Sequence, residues 1–321
     1  MLRLGQWLPT VRGNEGCSRP PSPRQQRPPT VPPVDAAVVA RPGADSGLDD
    51  AWFALNRAWW DERVATHVGS DFYGVRRFLE GWSPLRDYEV AEAGDVAGLD
   101  LVHLQCHFGM DTLAWARLGA RVVGVDLSAP AIEAATALAT EAELEAEFVV
   151  ANVYDAPTTL RGRTFDRVYT GIGALCWLPD IDRWAAVVDR LLRPGGRLHL
   201  VEFHPFSHWC LSETELRVKY SYFHDGPWTW DDDPDEHGSY AEPGATFEHN
   251  DTVEWNHGIG AIVTALAGVG FRIESLVERP TLFMQRWPFQ VEHGHQDWRN
   301  PPDLPQIPLS FSLIASKPAE P

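Results

Sequence analysis

Asp126 closes the short apolar run Val122 to Val125. A carboxylate ending a strand at a sheet edge can accept hydrogen bonds from both hydroxyls of a ribose, which makes Asp126 the first candidate for a nucleoside contact. Upstream, Leu101 to Leu104 run into Gln105-Cys106-His107-Phe108-Gly109, so Gln105, Cys106, His107 and Gly109 are expected around the same ligand, with Leu127 following Asp126. A third apolar run, Glu147 to Ala151, delivers Asn152 and Val153 to that edge, where the asparagine carbonyl oxygen can accept from an exocyclic amine. Thr170 ends a fourth run beginning at Phe165 and is taken as a further binding residue. Proton chemistry is expected at the end of a fifth run, where Glu202 and His204 stand; an unperturbed imidazole titrates near neutrality and suits proton abstraction. The remaining histidines, among them His208, His224, His237, His249 and His257, lack tight ligand spacing, so no metal is expected.

These residues need a scaffold that brings strand ends together. Leu101 to Leu104 read as a buried strand, Gln105 to Gly109 as a tight loop, Met110 or Asp111 as the start of a helix, and Val122 to Val125 as the next strand. That is the opening unit of a doubly wound sheet. The loop discriminates between nucleosides. A pyrophosphate needs several glycines so that backbone amides can approach its oxygens, and here Gln105 and His107 occupy two of those positions while Gly109 alone remains. S-adenosylmethionine (SAM) carries no phosphate and tolerates such a loop.

The string His103 to Ala120, HLQCHFGMDTLAWARLGA, resembles bacterial class I SAM-dependent methyltransferases with a variant first motif. The likeness extends in order through His67 to Tyr73, Ala151 to Pro157, Ala174 to Asp180, Leu191 to Pro205, Val253 to Gly260 and Phe283 to Phe289. It implies an α/β, Rossmann-like class I methyltransferase fold, with a seven-stranded, mostly parallel sheet whose last strand is antiparallel, helices on both faces and a β-rich lid inserted after the fifth strand. SAM is the implied cofactor, and methyl transfer to an oxygen or nitrogen atom of a small-molecule acceptor the implied activity. The preamble would lie over the cofactor, with His67, Tyr73 and Arg76 as contacts. In the family an acid stands where this chain has His103, so that contact does not carry over.

Composition narrows the partners. A net charge of −18 over 321 residues disfavours nucleic acid and anionic membrane surfaces. The four cysteines, Cys17, Cys106, Cys176 and Cys210, form no C-x-x-C pair, consistent with a reduced, cytoplasmic protein. No window approaches the roughly 18 apolar residues of a membrane span, and the first residues lack an apolar core of signal-peptide length. Residues 1–45 carry six arginines and many prolines against Glu15, Asp35 and Asp45, and are expected to be a disordered extension.

Residues 46–98 are expected to form a helical cap, with Trp52, Leu55 and Trp59 on one stripe and a second helix started by Ser70 or Asp71. The SAM-binding core spans 99–205. Ser128 caps a helix buried through Ile132, Ala135, Leu138 and Ala139; Asp180 or Asp182 caps another carrying Trp184, Val187, Val188, Leu191 and Leu192. Arg193-Pro194-Gly195-Gly196 stops it. Residues 206–256 are the expected substrate lid, where Leu216, Val218, Tyr220 and Tyr222 alternate as a strand, an acidic run covers Asp231 to Asp233, and Tyr222, Trp228 and Trp230 offer a face for an aromatic or cationic acceptor. Residues 257–321 supply the last helix and the closing strand pair, Phe271 to Val277 and Leu309 to Ser316. A nicotinamide-dependent oxidoreductase and a non-catalytic SAM-binding module are the alternatives. The bulky loop disfavours the first, which titration with SAM and with NADH separates from the methyltransferase; tight SAM binding with no methylation of any pool of cell metabolites would favour the second.

Overall fold

The computed structural model describes residues 46–224, 226–230, 239–242, 244–294 and 297–319. The expectations for residues 1–45 and for the run Asp231 to Asp233 lie outside these, as does the side chain of Trp230.

Three helices open the described chain: α1 (Ser46–Gly69), α2 (Val75–Leu79) and α3 (Asp87–Ala93). The second starts later than expected. Ser70, the anticipated cap, donates its hydroxyl to the His67 carbonyl at 2.8 Å, because α1 runs on to Gly69 and uses it there. Gly74, at φ 65°, makes the turn into α2 instead.

Strand and helix then alternate: β1 (Asp100–Leu104), α4 (Met110–Arg117), β2 (Arg121–Asp126), α5 (Ala129–Glu141), β3 (Ala146–Val150), α6 (Ala156–Thr159), β4 (Phe165–Thr170), α7 (Ile181–Leu191) and β5 (Leu192–Phe203). The Ser128 hydroxyl accepts from the Ala131 amide at 3.2 Å and the Asp180 carboxylate from the Arg183 amide at 2.9 Å, so both helices begin on the expected caps. After β5 come α8 (Pro205–Trp209), the short pair β6 (Trp228–Trp230) and β7 (Thr252–Glu254), α9 (Ile259–Gly268), β8 (Arg272–Arg279), a second short pair β9 (Val291–Glu292) and β10 (Trp298–Arg299), and β11 (Ser310–Ser316).

The main sheet has seven strands in the order β3-β2-β1-β4-β5-β11-β8. Strands β1 to β5 are parallel, and β11 enters between β5 and β8 antiparallel to both. Each face of the sheet is apolar and each is covered. Val102, Leu104, Val123, Val168 and Leu200 pack with Trp184, Val188 and Leu191 of α7 on one side. Leu101, Val122 and Tyr169 pack with Leu113 and Trp115 of α4 and with Phe78 of α2 on the other. Burying an aliphatic side chain of this kind stabilises the fold by ~1.5–3 kcal/mol, which explains why the strands read as continuous apolar runs. No described helix is long and apolar enough to cross a membrane.

The segment 206–256, expected to form a lid, differs from expectation. Leu216 to Tyr222 do not form a strand; only a bridge between Leu211 and Val218 remains. The amides of Lys219 and Tyr220 both turn onto one carbonyl, that of Cys210, at 2.8 and 3.1 Å, so no ladder can propagate. Instead the segment is tied to α1. Asn56 exchanges two hydrogen bonds with the backbone of Val253 (2.8 and 2.9 Å), and the Arg63 guanidinium donates to the His249 carbonyl (2.7 Å) and to Asn250 Oδ1 (2.8 Å).

Candidate active site

The strand order reverses between β1 and β4, and at the carboxyl ends of those strands lies a cavity of about 1240 Å³. Single small-molecule sites span roughly 300–1,000 Å³. This volume therefore has room for two ligands side by side.

The loop after β1 is bent as glycines would bend it, with Gln105 at φ 57° and His107 at φ 50°. Left-handed torsions cost a residue with a side chain ~1–2 kcal/mol, so two such exceptions within three residues mark a loop held by its surroundings. The holding contacts are visible. The Gln105 side-chain amide donates to the Ala174 carbonyl at 2.8 Å, and the His107 backbone amide donates to Asp126 Oδ2 at 2.7 Å. Gly109, at φ 75°, admits no side chain: a Cβ there would lie 2.6 Å from the Phe148 ring of β3 and 2.9 Å from Ala135 Cβ of α5.

Asp126 ends β2 on the cavity wall, its second oxygen accepting from the Ser128 amide at 2.9 Å. Burial pushes its carboxyl up to about 6, against backbone donors that favour the charged form. Gln105, Cys106, His107, Gly109, Leu127, Asn152 and Val153 share the same wall. Asn152 also does local work there, its side-chain oxygen accepting from the Tyr154 amide at 3.0 Å. Thr170 is a correction. It is fully buried at the end of β4 and is not among the residues that line the cavity.

The opposite end of this half of the cavity is polar. Arg86, Glu89, His103, Asp111 and Tyr169 line it. The Tyr169 hydroxyl donates to Glu89 at 2.8 Å, and His103 Nδ1 pairs with the Thr112 hydroxyl at 2.8 Å. His103 Nε2 and Asp111 Oδ2 converge on Gly171, where a Cβ would stand 3.4 and 3.6 Å from them. Burial pushes Asp111 up to about 7 and His103 down to about 3, so the imidazole is neutral and cannot compensate the carboxylate. Asp111 forms no ion pair among the described residues and the Arg86 guanidinium only partly offsets the effect of burial on it, so the carboxyl suits a ligand that brings a cation. Sequence reasoning missed Asp111 and Glu89. The signal for Asp111 was its place in the first turn of α4, directly after the loop.

Both proposed bases are corrected by the geometry. Glu202 is buried below the loop after β4 and accepts hydrogen bonds from the amides of Gly173 (2.5 Å), Ala174 (3.0 Å), Leu175 (2.9 Å) and Phe203 (2.7 Å). Burial pushes its carboxyl up to about 7 in spite of those donors. With its oxygens committed and no place on the cavity wall, it builds the loop. His204 also lies off the wall: Nδ1 accepts from the Phe206 amide at 3.2 Å, capping α8, and Nε2 pairs with Glu278 at 2.7 Å. An imidazole engaged at both nitrogens has no third site for a substrate proton.

The anticipated aromatic face is corrected too. The Tyr222 hydroxyl accepts from the Ile259 amide at 3.3 Å, and Trp228 is buried against Trp209, with ring centroids 6.2 Å apart. Neither lines the cavity; both pin the segment to the core. Trp59, Trp60, Phe72, Tyr73, Trp177 and Tyr240 line it instead. Of the preamble residues, Tyr73 is on the wall, while Arg76 is solvent-exposed in an ion pair with Glu80. His67 is buried behind the wall, its Nδ1 3.0 Å from His107 Nε2 and its Nε2 2.7 Å from the Ser239 hydroxyl. Burial lowers the pKa of both histidines, so the loop after β1, α1 and residue 239 are joined through neutral imidazoles.

Comparison with known proteins bears on the domain and the fold. Residues 102–200 match the family described as "Methyltransferase domain". A "Ubiquinone biosynthesis O-methyltransferase" of Xanthomonas oryzae pv. oryzae is 30% identical over 151 residues, covering 47% of this chain and 58% of that protein. The protein of the same name from Xanthomonas euvesicatoria pv. vesicatoria is 28% identical over the same length. The chain thus spans little more than half the length of these curated relatives. Among solved structures, a SAM-dependent methyltransferase from Mesorhizobium loti superposes with a TM-score of 0.50 at 20% identity, covering 74% of this chain and 99% of that one. One from Methanosarcina mazei gives 0.50 at 21% identity, with the same coverage. The fold is the Rossmann-like one of class I methyltransferases, with the seven-stranded mixed sheet expected from sequence.

Proposed function

We propose that this chain is a SAM-dependent methyltransferase acting on an oxygen or nitrogen atom of a small-molecule acceptor. The observation that carries the reading is the wall running from Asp126 to Asp111. A carboxylate fit for a ribose stands at one end and a polar nest fit for an amino-acid zwitterion at the other, across a loop whose side chains leave no pyrophosphate cradle. The name of the Xanthomonas oryzae relative favours oxygen as the acceptor atom.

Bound SAM supplies a sulfonium methyl that is transferred by in-line displacement. The chain's own residues do the rest. Asp126 accepts the ribose hydroxyls, and Leu127, Asn152 and Val153 flank the base. Asp111 and Glu89 take the ammonium, Arg86 takes the carboxylate, and the buried Gln105 Oε1, which lacks a partner in the described structure, takes a donor from the ligand. Glu202 holds residues 173–175 at the cavity wall, and α1 with the lid segment 206–256 excludes water. Positioning of this kind can be worth ~7–11 kcal/mol.

Calorimetric titration tests the reading: SAM binds and NADH does not, and methyl-labelled SAM marks a product when incubated with a metabolite extract. Binding of NADH alone overturns it. The pH dependence follows from Asp126 and Asp111. Ribose hydroxyls donate to the ionised form of Asp126, so binding releases the proton held below about 6. The ammonium likewise needs Asp111 ionised, and burial pushes that carboxyl up to about 7, so SAM affinity falls as pH drops through about 7 and more steeply below about 6, by up to tenfold per unit for each proton displaced. In the free protein the sign is opposite: the raised Asp126 carboxyl favours the fold below its unfolded pKa, and that contribution is lost as pH rises through about 6.

His204→Gln is expected to leave the methyl-transfer rate near that of the parent and to lower the melting temperature by about 2–4 °C, the equivalent of one hydrogen bond of ~1 kcal/mol. A general base contributes ~100-fold or more. A loss of that size in turnover, with SAM affinity intact, would return this imidazole to catalysis.

A further inference from the structure

The half of the cavity over β5 and β11 is distinct from the half that holds Asp126 and Asp111. Phe203 and His208 stack there with centroids 4.5 Å apart and planes 9° apart, and Phe283 lies 5.8 Å from Phe203. Met284 and Trp287 continue the apolar wall. Among them lies Arg286. Its Nη2 donates to the His208 carbonyl at 2.8 Å, its Nε is buried without a partner, and it forms no ion pair among the described residues. The Trp287 ring lies 4.9 Å from its Cζ. The acid that acts on it, Glu213, is already engaged by Lys219 and the Tyr220 hydroxyl, each at 2.9 Å. His208 stays neutral, its pKa pushed down to about 3 by burial and by Arg286 itself. A half-buried guanidinium on a cavity wall, with neither a carboxylate partner nor a full set of acceptors, suits a ligand that supplies the anion.

Resting on the methyltransferase reading, we propose that this half is the acceptor subsite and that Arg286 receives a carboxylate borne by a planar aromatic acceptor. The Phe203 and Phe283 rings give the plane its walls, and the guanidinium, flat and fork-shaped, fixes the acid at one end so that the far edge of the ring points back toward the loop at Gly173. Glu89, Asp111, Asp126 and Arg86 serve the cofactor half, with the Arg86 guanidinium 5.5 Å from the Phe283 ring at the border between the halves, and Arg286 is left to the acceptor.

The test compares three isosteric probes on the full chain saturated with S-adenosylhomocysteine: 4-hydroxybenzoate, 4-hydroxybenzamide and 4-hydroxybenzylamine. The acid is expected to bind about tenfold or more tighter than the amide, as for a hydrogen bond to a charged group, and the amine weakest of all. In Arg286→Gln the acid and amide become equal within about twofold, while Arg286→Lys keeps part of the preference. S-adenosylhomocysteine affinity, unchanged in both variants, shows that they are folded. Equal binding of acid and amide by the parent protein, tighter binding of the amine, no binding of the acid, or a preference that survives Arg286→Gln each overturns the proposal. Failure to bind S-adenosylhomocysteine at all is the separate signature of a wrong methyltransferase reading, and this proposal falls with it.

Discussion

Asp126→Ala is expected to weaken SAM binding by about 100-fold or more. Two ribose hydroxyls donating to a charged acceptor account for ~1.5–3 kcal/mol each, and ~3 kcal/mol corresponds to about 150-fold in affinity. The same carboxylate also anchors the amides of His107 and Ser128 at 2.7 and 2.9 Å, so its loss frees a loop that already carries two left-handed non-glycine residues. Asp126→Asn separates these contributions. It keeps one accepting oxygen for the loop but presents an NH2 group to the ribose, and should bind SAM almost as poorly while melting closer to the parent. Calorimetry with circular-dichroism melts checks both, and an alanine variant with undiminished SAM affinity would remove the ribose contact from the account.

Glu202→Ala should produce the largest loss of stability of any single change at the site. Four amides, three of them consecutive at residues 173–175, lose the Glu202 carboxylate as acceptor, and the contacts of Ala174 and Leu175 are buried. Each buried donor left unpaired costs ~1–3 kcal/mol. Even with relaxation the sum should reach ~3–5 kcal/mol, a fall in melting temperature of roughly 6–12 °C or more. Turnover should fall with it, because residues 173 and 174 form the cavity wall and Ala174 also holds Gln105. Glu202→Gln restores an oxygen but turns an NH2 group toward amide donors, and should recover only part of the loss. A melting temperature unchanged in Glu202→Ala, with turnover abolished, would mean that the carboxylate acts in chemistry after all.

Much of the frame was legible from local patterns. The caps at Ser128 and Asp180, the stop after Leu191 and the antiparallel closing strand follow from periodicity, propensity and the resemblance. So does the place of Asp126, since a strand end in a doubly wound sheet faces the crevice whatever surrounds it. The amphipathic reading of Leu216 to Tyr222 failed because alternation predicts a face only where a neighbouring strand exists to pair with.

The roles of individual side chains were another matter. Glu202 and His204 sit at a strand end, as a base should, and their residue types are right. Whether such a group touches a substrate or a row of amides depends on partners up to 74 residues away, such as Glu278, which no local pattern encodes. Tyr222 and Trp228 turned out to anchor the segment after β5 to the core, while Trp60, Tyr73 and Tyr240, drawn from segments far apart in the chain, wall the cavity. Asp111 gains its significance only because Glu89 arrives from α3 and His103 is neutral, leaving a buried carboxyl that calls for a cation. Chain order specifies the elements through short-range forces. The division of labour among polar groups is decided by which donors, acceptors and charges the finished packing leaves unmatched.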